Sequence, residues 1–196
     1  MSVRYYRRVF LRRKPDRTTL ERLIGNHQTD AFSYSAVGTT QGDAPSHYKV
    51  DRNRILIGHG PGQFKAAKAA IDSWKMFDLD WIELFPKRPS VHVGTAVAVV
   101  VRHLGFWSVN ISRIVYLIDE ESRYGFAYGT LECHSEEGEE RFLVEHDKTT
   151  DEVWYDLYAF SKPRHPLARI GFPISRHLQK RFARESLAAM KRAVTK

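Results

Sequence analysis

A chain of 196 residues, 42% hydrophobic and 28% charged, is long enough for one domain with a full apolar core and too balanced in composition to be disordered along its length. Its single cysteine, Cys133, excludes an internal disulfide framework and any cysteine-rich zinc or iron–sulfur centre. The net charge of +8 belongs to the ends: residues 1–25 carry eight basic groups against two acidic, and residues 162–196 ten against one.

The first 30 residues read as a basic arm ending in a short helix, Arg17 to Ile24, stopped by Gly25-Asn26. The opening MSVRYYRRVFLRRK has the charge of a secretory leader but no apolar stretch behind it. The longest apolar run, Val93 to Val101, is too short to cross a bilayer. A soluble, cytoplasmic protein is expected.

Residues 38–47 are turn-rich and predict a loop. His47 to Ile57 alternates as a strand, and Gly58-His-Gly-Pro-Gly62 ends it, with Pro61 suited to the first turn of a helix. Phe64, Ala67, Ile71, Trp74 and Phe77 then share one helical face. After Asp78 come six β-rich segments: Trp81–Phe85, Val91–His103, Ile111–Asp119, Tyr124–Leu131, Glu140–Asp147 and Val153–Ser161. Their connections are too short for helical crossovers, so an antiparallel meander is expected. From about Leu167 a long helix follows, with Ile170, Ile174, Leu178 and Phe182 as its buried stripe and Pro173 kinking or restarting it. Residues 31–196 therefore predict one α+β domain with its helices on one face of a curved antiparallel sheet.

Few motifs carry chemistry. The glycines before the first long helix lack the third glycine of a dinucleotide fingerprint, since Gln63 stands there, and a tight turn explains them. The acidic stretch Glu132–Asp156 has no recognisable ligand spacing, so neither metal nor cofactor is expected. His134 and Glu140 flank its turn and could face each other across it. Cys133 has only His134 beside it, and adjacent side chains of a strand point to opposite faces. Arg113 and Asp156 interrupt apolar strands, and Arg102 closes another. Buried charges must be paired or face a wet cavity. A structural ion pair and a polar anchor for a ligand both satisfy that rule. Between Tyr124 and Thr130 one strand face holds only Gly125, Ala127 and Gly129, which permits close approach by a helix or a ligand.

Several segments together resemble a known family. They are Phe32-Ser-Tyr-Ser-Ala-Val-Gly38, Trp74-Lys-Met-Phe-Asp78, Val93-Gly-Thr95, Arg102-His-Leu-Gly-Phe-Trp-Ser108 and Arg123–Leu131. His134, Gly138–Val144, Val153-Trp-Tyr-Asp156 and Phe160-Ser-Lys-Pro-Arg-His-Pro166 continue the match in order. The family is the domain of unknown function numbered nineteen-ninety, and the match covers about residues 32–192. This resemblance implies the helix-grip fold of START domains and the birch-pollen allergen, where a curved sheet wraps a long C-terminal helix around an apolar cavity. It implies no catalytic residue.

The leading expectation is a protein that binds an apolar or amphipathic small molecule between sheet and terminal helix. Arg102, Arg113, Tyr128 and Asp156 would be its polar anchors, and Trp81, Trp107 and Trp154 its aromatic walls. A second is an enzyme in the same cavity, with Tyr128, His134 or Glu140 moving the proton. A third is a module that binds an anionic membrane or nucleic acid through residues 1–25 and 162–196.

Overall fold

The computed structural model describes residues 10–103, 105–134, 136–164 and 172–195. Its first strand, β1 (Phe10–Leu11), pairs over two residues with Trp107 and Ser108. Helix α1 (Arg17–His27) starts at Asp16, whose carboxylate accepts the Thr19 N–H at 2.8 Å. It runs through Gly25 and Asn26 rather than stopping there, because Leu20 and Leu23 bury its apolar side against the sheet. Strand β2 (Lys49–His59) leads into α2 (Gly60–Asp72), with Pro61 in the first turn.

The meander follows as β3 (Ile82–Phe85), β4 (Ala96–His103), β5 (Phe106–Asp119), β6 (Arg123–Thr130), β7 (Glu136–Asp147) and β8 (Glu152–Pro163). Every pairing is antiparallel, and the main path runs β2-β8-β7-β6-β5-β4-β3. The chain closes with α3 (Phe172–Val194), whose Pro173 sits in the first turn, where a missing N–H costs nothing. A curved antiparallel sheet gripping a long C-terminal helix is the expected fold, and it is the one found.

Two local expectations need correction. Trp74 and Phe77 do not continue α2. Trp74 adopts φ 53, ψ 36, and Phe77 lies in a short 3-10 turn. Both are nevertheless buried with Phe64, Ala67 and Ile71, so the apolar period marks a common core rather than one helix. Residues 91–95 form a turn ahead of β4, not part of it. The two helices of the predicted domain, α2 and α3, share one face as expected, and the arm's helix α1 lies on the other. One core unites α2 and α3 with Ile57, Ile114, Phe126, Phe142, Tyr155 and Leu157, while α1 packs on the opposite side against Ala98, Val100, Val109 and Ile111. The first side is called the grip face below and the second the outer face. Among the described residues no helix is long and apolar enough to cross a membrane.

Candidate functional site

Strand alternation decides what each side chain can reach. Phe126 and Tyr128 of β6, Phe142 and Val144 of β7, and Tyr155 and Leu157 of β8 belong to the grip-face core. Glu140 shares that parity on β7. The register Asp51↔Ala159, Glu140↔Ala159 and Tyr128↔Glu140 therefore lays Asp51, Ala159, Glu140 and Tyr128 in one row across four strands.

Tyr128 donates its hydroxyl to Glu140 Oε2 at 2.8 Å. The Tyr128 ring packs among Phe77 at 6.2 Å and Phe142 at 5.2 Å, and Phe182 of α3 reaches Phe77 at 5.2 Å. This apolar setting pushes the Glu140 carboxyl up to about 7, with Asp51 and Glu136 adding negative charge nearby and the Tyr128 bond opposing the rise. Burial and the Glu140 charge likewise raise Tyr128 well above its ordinary range. The pair thus holds a proton near neutral pH inside an aromatic grip.

Helix α3 closes over the row. Arg176 holds Asp51 through two hydrogen bonds, one at 2.7 Å, and Gln179 donates to Glu136 and, at 3.1 Å, to Ser161 Oγ. Deeper along the helix, the buried Ser186 and Tyr155 hydroxyls meet at 3.1 Å. Ala159, Glu140 and Asn53 on the sheet, and Leu178 and Phe182 on α3, are each only partly covered. These partly covered positions mark out a candidate site between sheet and helix.

The other predicted residues lie elsewhere. Trp81 reaches the grip side, but its indole N–H donates to Glu185 at 2.6 Å and Arg181 stacks over its ring at 4.5 Å, so it fastens α3 to the sheet. Arg113 is on the outer face, donating to the backbone oxygens of Gln28 and Asp30 at 2.8 and 2.9 Å and stacking on Phe32. Asp156 pairs there with Arg141 at 2.8 Å. Trp154 lies under Arg54, and Trp107 beside Arg102 and Lys14. These five residues, Arg102, Trp107, Arg113, Trp154 and Asp156, have the wrong strand parity to meet α3. His134 accepts the Glu136 N–H through Nδ1 at 3.0 Å, and burial pushes its imidazole down to about 4.

A cavity of about 470 Å³ opens at the far end of the grip face, lined by Asp72, Val91, His92, Leu117, Asp119 and Tyr124 among others. None of the predicted ligand-binding residues borders it. On the outer face the glycine-alanine side of β6 is covered by the loop at 32–42. Tyr34 fits over Gly129 and donates to the buried Glu139 carboxylate at 2.7 Å, and Gly38 N–H and Thr40 N–H complete the clamp at 2.7 and 3.0 Å. Sequence reasoning missed Asp51, Arg176 and Gln179 under the terminal helix and Glu139 in this clamp. The adjacent pair Glu139-Glu140 carried a signal, since a strand must send the two carboxylates to opposite faces.

A family model described as Domain of unknown function (DUF1990) matches residues 33–189. A UPF0548 protein of Dictyostelium discoideum is 33% identical over 95% of this chain and 96% of its own length. A UPF0548 protein of Deinococcus radiodurans is 35% identical over 94% of this chain and 98% of its own. A solved structure from Thermus thermophilus has a TM-score of 0.52 at 14% identity, covering 74% of this chain and 97% of that one. At that identity it shows the fold alone.

Proposed function

The chain belongs to the DUF1990 family, and from that premise we propose that it binds an apolar or amphipathic small molecule on the grip face, between the sheet and α3. One observation carries this reading: the Tyr128–Glu140 hydrogen bond lies among aromatic rings under the terminal helix, beside the partly covered Ala159, Leu178 and Phe182, where the proposed recess would open. A carboxyl group in such surroundings costs free energy unless a polar partner meets it, and Tyr128 engages only one of its oxygens. A ligand whose apolar body fills the space beside Phe182 and Ala159 and whose polar end reaches Glu140 satisfies both requirements.

The test is a titration of the full chain with the neutral dye Nile red, followed by fluorescence, beside the variant Ala159→Phe. That substitution fills the recess without removing a polar group. Saturable binding at one dye per chain that weakens at least tenfold in the variant supports the reading. Equal binding by both, with both folded, contradicts it.

The same pair supports a second reading, because a carboxyl that titrates near neutral pH can act as a general acid or base. In that case the bound molecule leaves chemically changed, and mass spectrometry of the ligand before and after incubation separates an enzyme from a carrier.

A further inference from the structure

Folding brings His27, Asp30 and Cys133 together from two distant segments. An imidazole nitrogen of His27, an Asp30 carboxylate oxygen and the Cys133 sulfur all lie within 4.8 Å of one another. His27 is the last residue of α1, and Asp30 stands in the turn that follows, where its N–H bonds the His27 carbonyl at 3.0 Å. Cys133 sits in the turn between β6 and β7. Backbone pairing fastens the segments side by side, through the bridge Phe32↔Leu131 and the Ser33 N–H on the Thr130 carbonyl at 2.9 Å. We propose that these three side chains form a site for a borderline-soft divalent cation, with zinc as the reference ion.

The donor set selects the ion class. Thiolate, imidazole and carboxylate are the ligands of zinc and cobalt(II), whereas magnesium and calcium take oxygen donors. One thiolate and one carboxylate neutralise a dication, and a neutral imidazole completes a three-ligand set that leaves a fourth tetrahedral position for water or another donor. On binding, the cation displaces the Cys133 thiol proton to solvent, the imidazole proton shared with Asp30 passes by way of solvent to the ring nitrogen that does not ligate, and the His27–Asp30 hydrogen bond of 2.7 Å is exchanged for two metal bonds. Burial and the Asp30 charge otherwise keep the thiol protonated, pushing it up to about 12.

The arrangement is not a nucleophile relay. In such a relay the carboxylate and the thiol engage different nitrogens of the imidazole. Here the carboxylate oxygen and the sulfur lie within 4.8 Å of each other, too close for the imidazole to stand between them. Arg113 supplies the outer support: its guanidinium holds the Gln28 and Asp30 carbonyls and fixes the turn that presents two of the ligands. Its positive charge, with that of Arg164 near Cys133, opposes a cation. Affinity therefore depends on all three ligands being present.

The experiment titrates the metal-free full chain with cobalt(II), reading the sulfur-to-cobalt absorption in the near ultraviolet, and with zinc by calorimetry. The expected result is one ion per chain with that absorption band. Cys133→Ala abolishes the band, and His27→Gln, Asp30→Asn and Cys133→Ala each weaken zinc at least tenfold. Circular dichroism confirms that each variant is folded. Failure of the native chain to show the band, or zinc affinity unchanged in both His27→Gln and Asp30→Asn, overturns the proposal.

Discussion

Gly129 is glycine because of Tyr34. A Cβ at residue 129 would come within 2.0 Å of the Tyr34 hydroxyl, and that hydroxyl is held by the buried Glu139 carboxylate and cannot swing away. Gly129→Ala should cost about 2–3 kcal/mol of stability through overpacking. Tyr34→Phe removes one of the donors on Glu139 and should cost about 1–3 kcal/mol. The double variant should cost less than the sum, because removing the hydroxyl makes room for the methyl group. Urea unfolding of the four proteins checks this, and strict additivity would mean that the two residues do not meet. Glu140 makes a second test at this scale. Folding raises its carboxyl from the ordinary 4.5 to about 7, so the folded state holds a proton that the unfolded state has released. Its contribution to stability is complete below about 4.5 and is lost as pH rises through 7. Relative to the native chain, Glu140→Gln should gain stability between pH 4.5 and pH 8, by at most about 3 kcal/mol at ~1.4 kcal/mol per pKa unit. A difference that does not change with pH would place Glu140 in a watery setting.

Among the elements, α3 shows how far periodicity can be read. The sequence points to a stripe at Ile170, Ile174, Leu178 and Phe182. Ile170 lies outside the described residues, Ile174 is 48% exposed, Leu178 is partly covered and Phe182 packs against the core. The fully buried positions come later, at Ala183, Ser186, Ala189, Met190 and Val194. The early turns meet polar groups, Arg176 on Asp51 and Gln179 on Glu136 and Ser161, and the later turns press on the apolar core. Met190→Ala should therefore cost about 2–5 kcal/mol, and Ile174→Ala no more than about 0.5 kcal/mol. Thermal unfolding of the two variants distinguishes this arrangement from the evenly buried stripe, which would make their costs alike. The strands were legible because their connections are short and their apolar residues alternate. Which face each lone polar residue took was not legible. Parity fixes Arg113 opposite to Ile114, and Asp156 opposite to Tyr155 and Leu157, but only the docking of α1 and of the loop at 32–42 on the outer face shows that this side too is covered. A charged residue inside a strand thus signals a built surface on either side of a sheet, not a ligand cavity in particular.

Over the whole molecule, the sheet divides two kinds of work. Its outer face is locked by fixed polar clamps: Arg113 on the end of α1, Glu139 on the loop at 32–42 and Arg141 on Asp156. Its grip face keeps the Tyr128–Glu140 pair among aromatic rings under α3. Acid should loosen the molecule through His134, which is neutral when folded and depressed from 6.5 to about 4. Its contribution is present above about 6.5 and is lost as pH falls toward 4. His134→Asn should flatten this acid limb in a series of unfolding curves at different pH, whereas an unchanged limb would assign the loss to other groups. The exposed basic residues of α3, Lys180, Arg184, Lys191 and Arg192, point away from both faces, so binding of an anionic surface would leave the recess undisturbed. The central claim is that the recess over Tyr128 and Glu140 holds the ligand. It is tested most directly by mapping backbone amide NMR shifts of the full chain on addition of Nile red. Shifts concentrated at Tyr128, Glu140, Ala159, Leu178 and Phe182 are the expected result. Shifts concentrated instead at His92, Leu117 and Tyr124, around the 470 Å³ cavity, would contradict it.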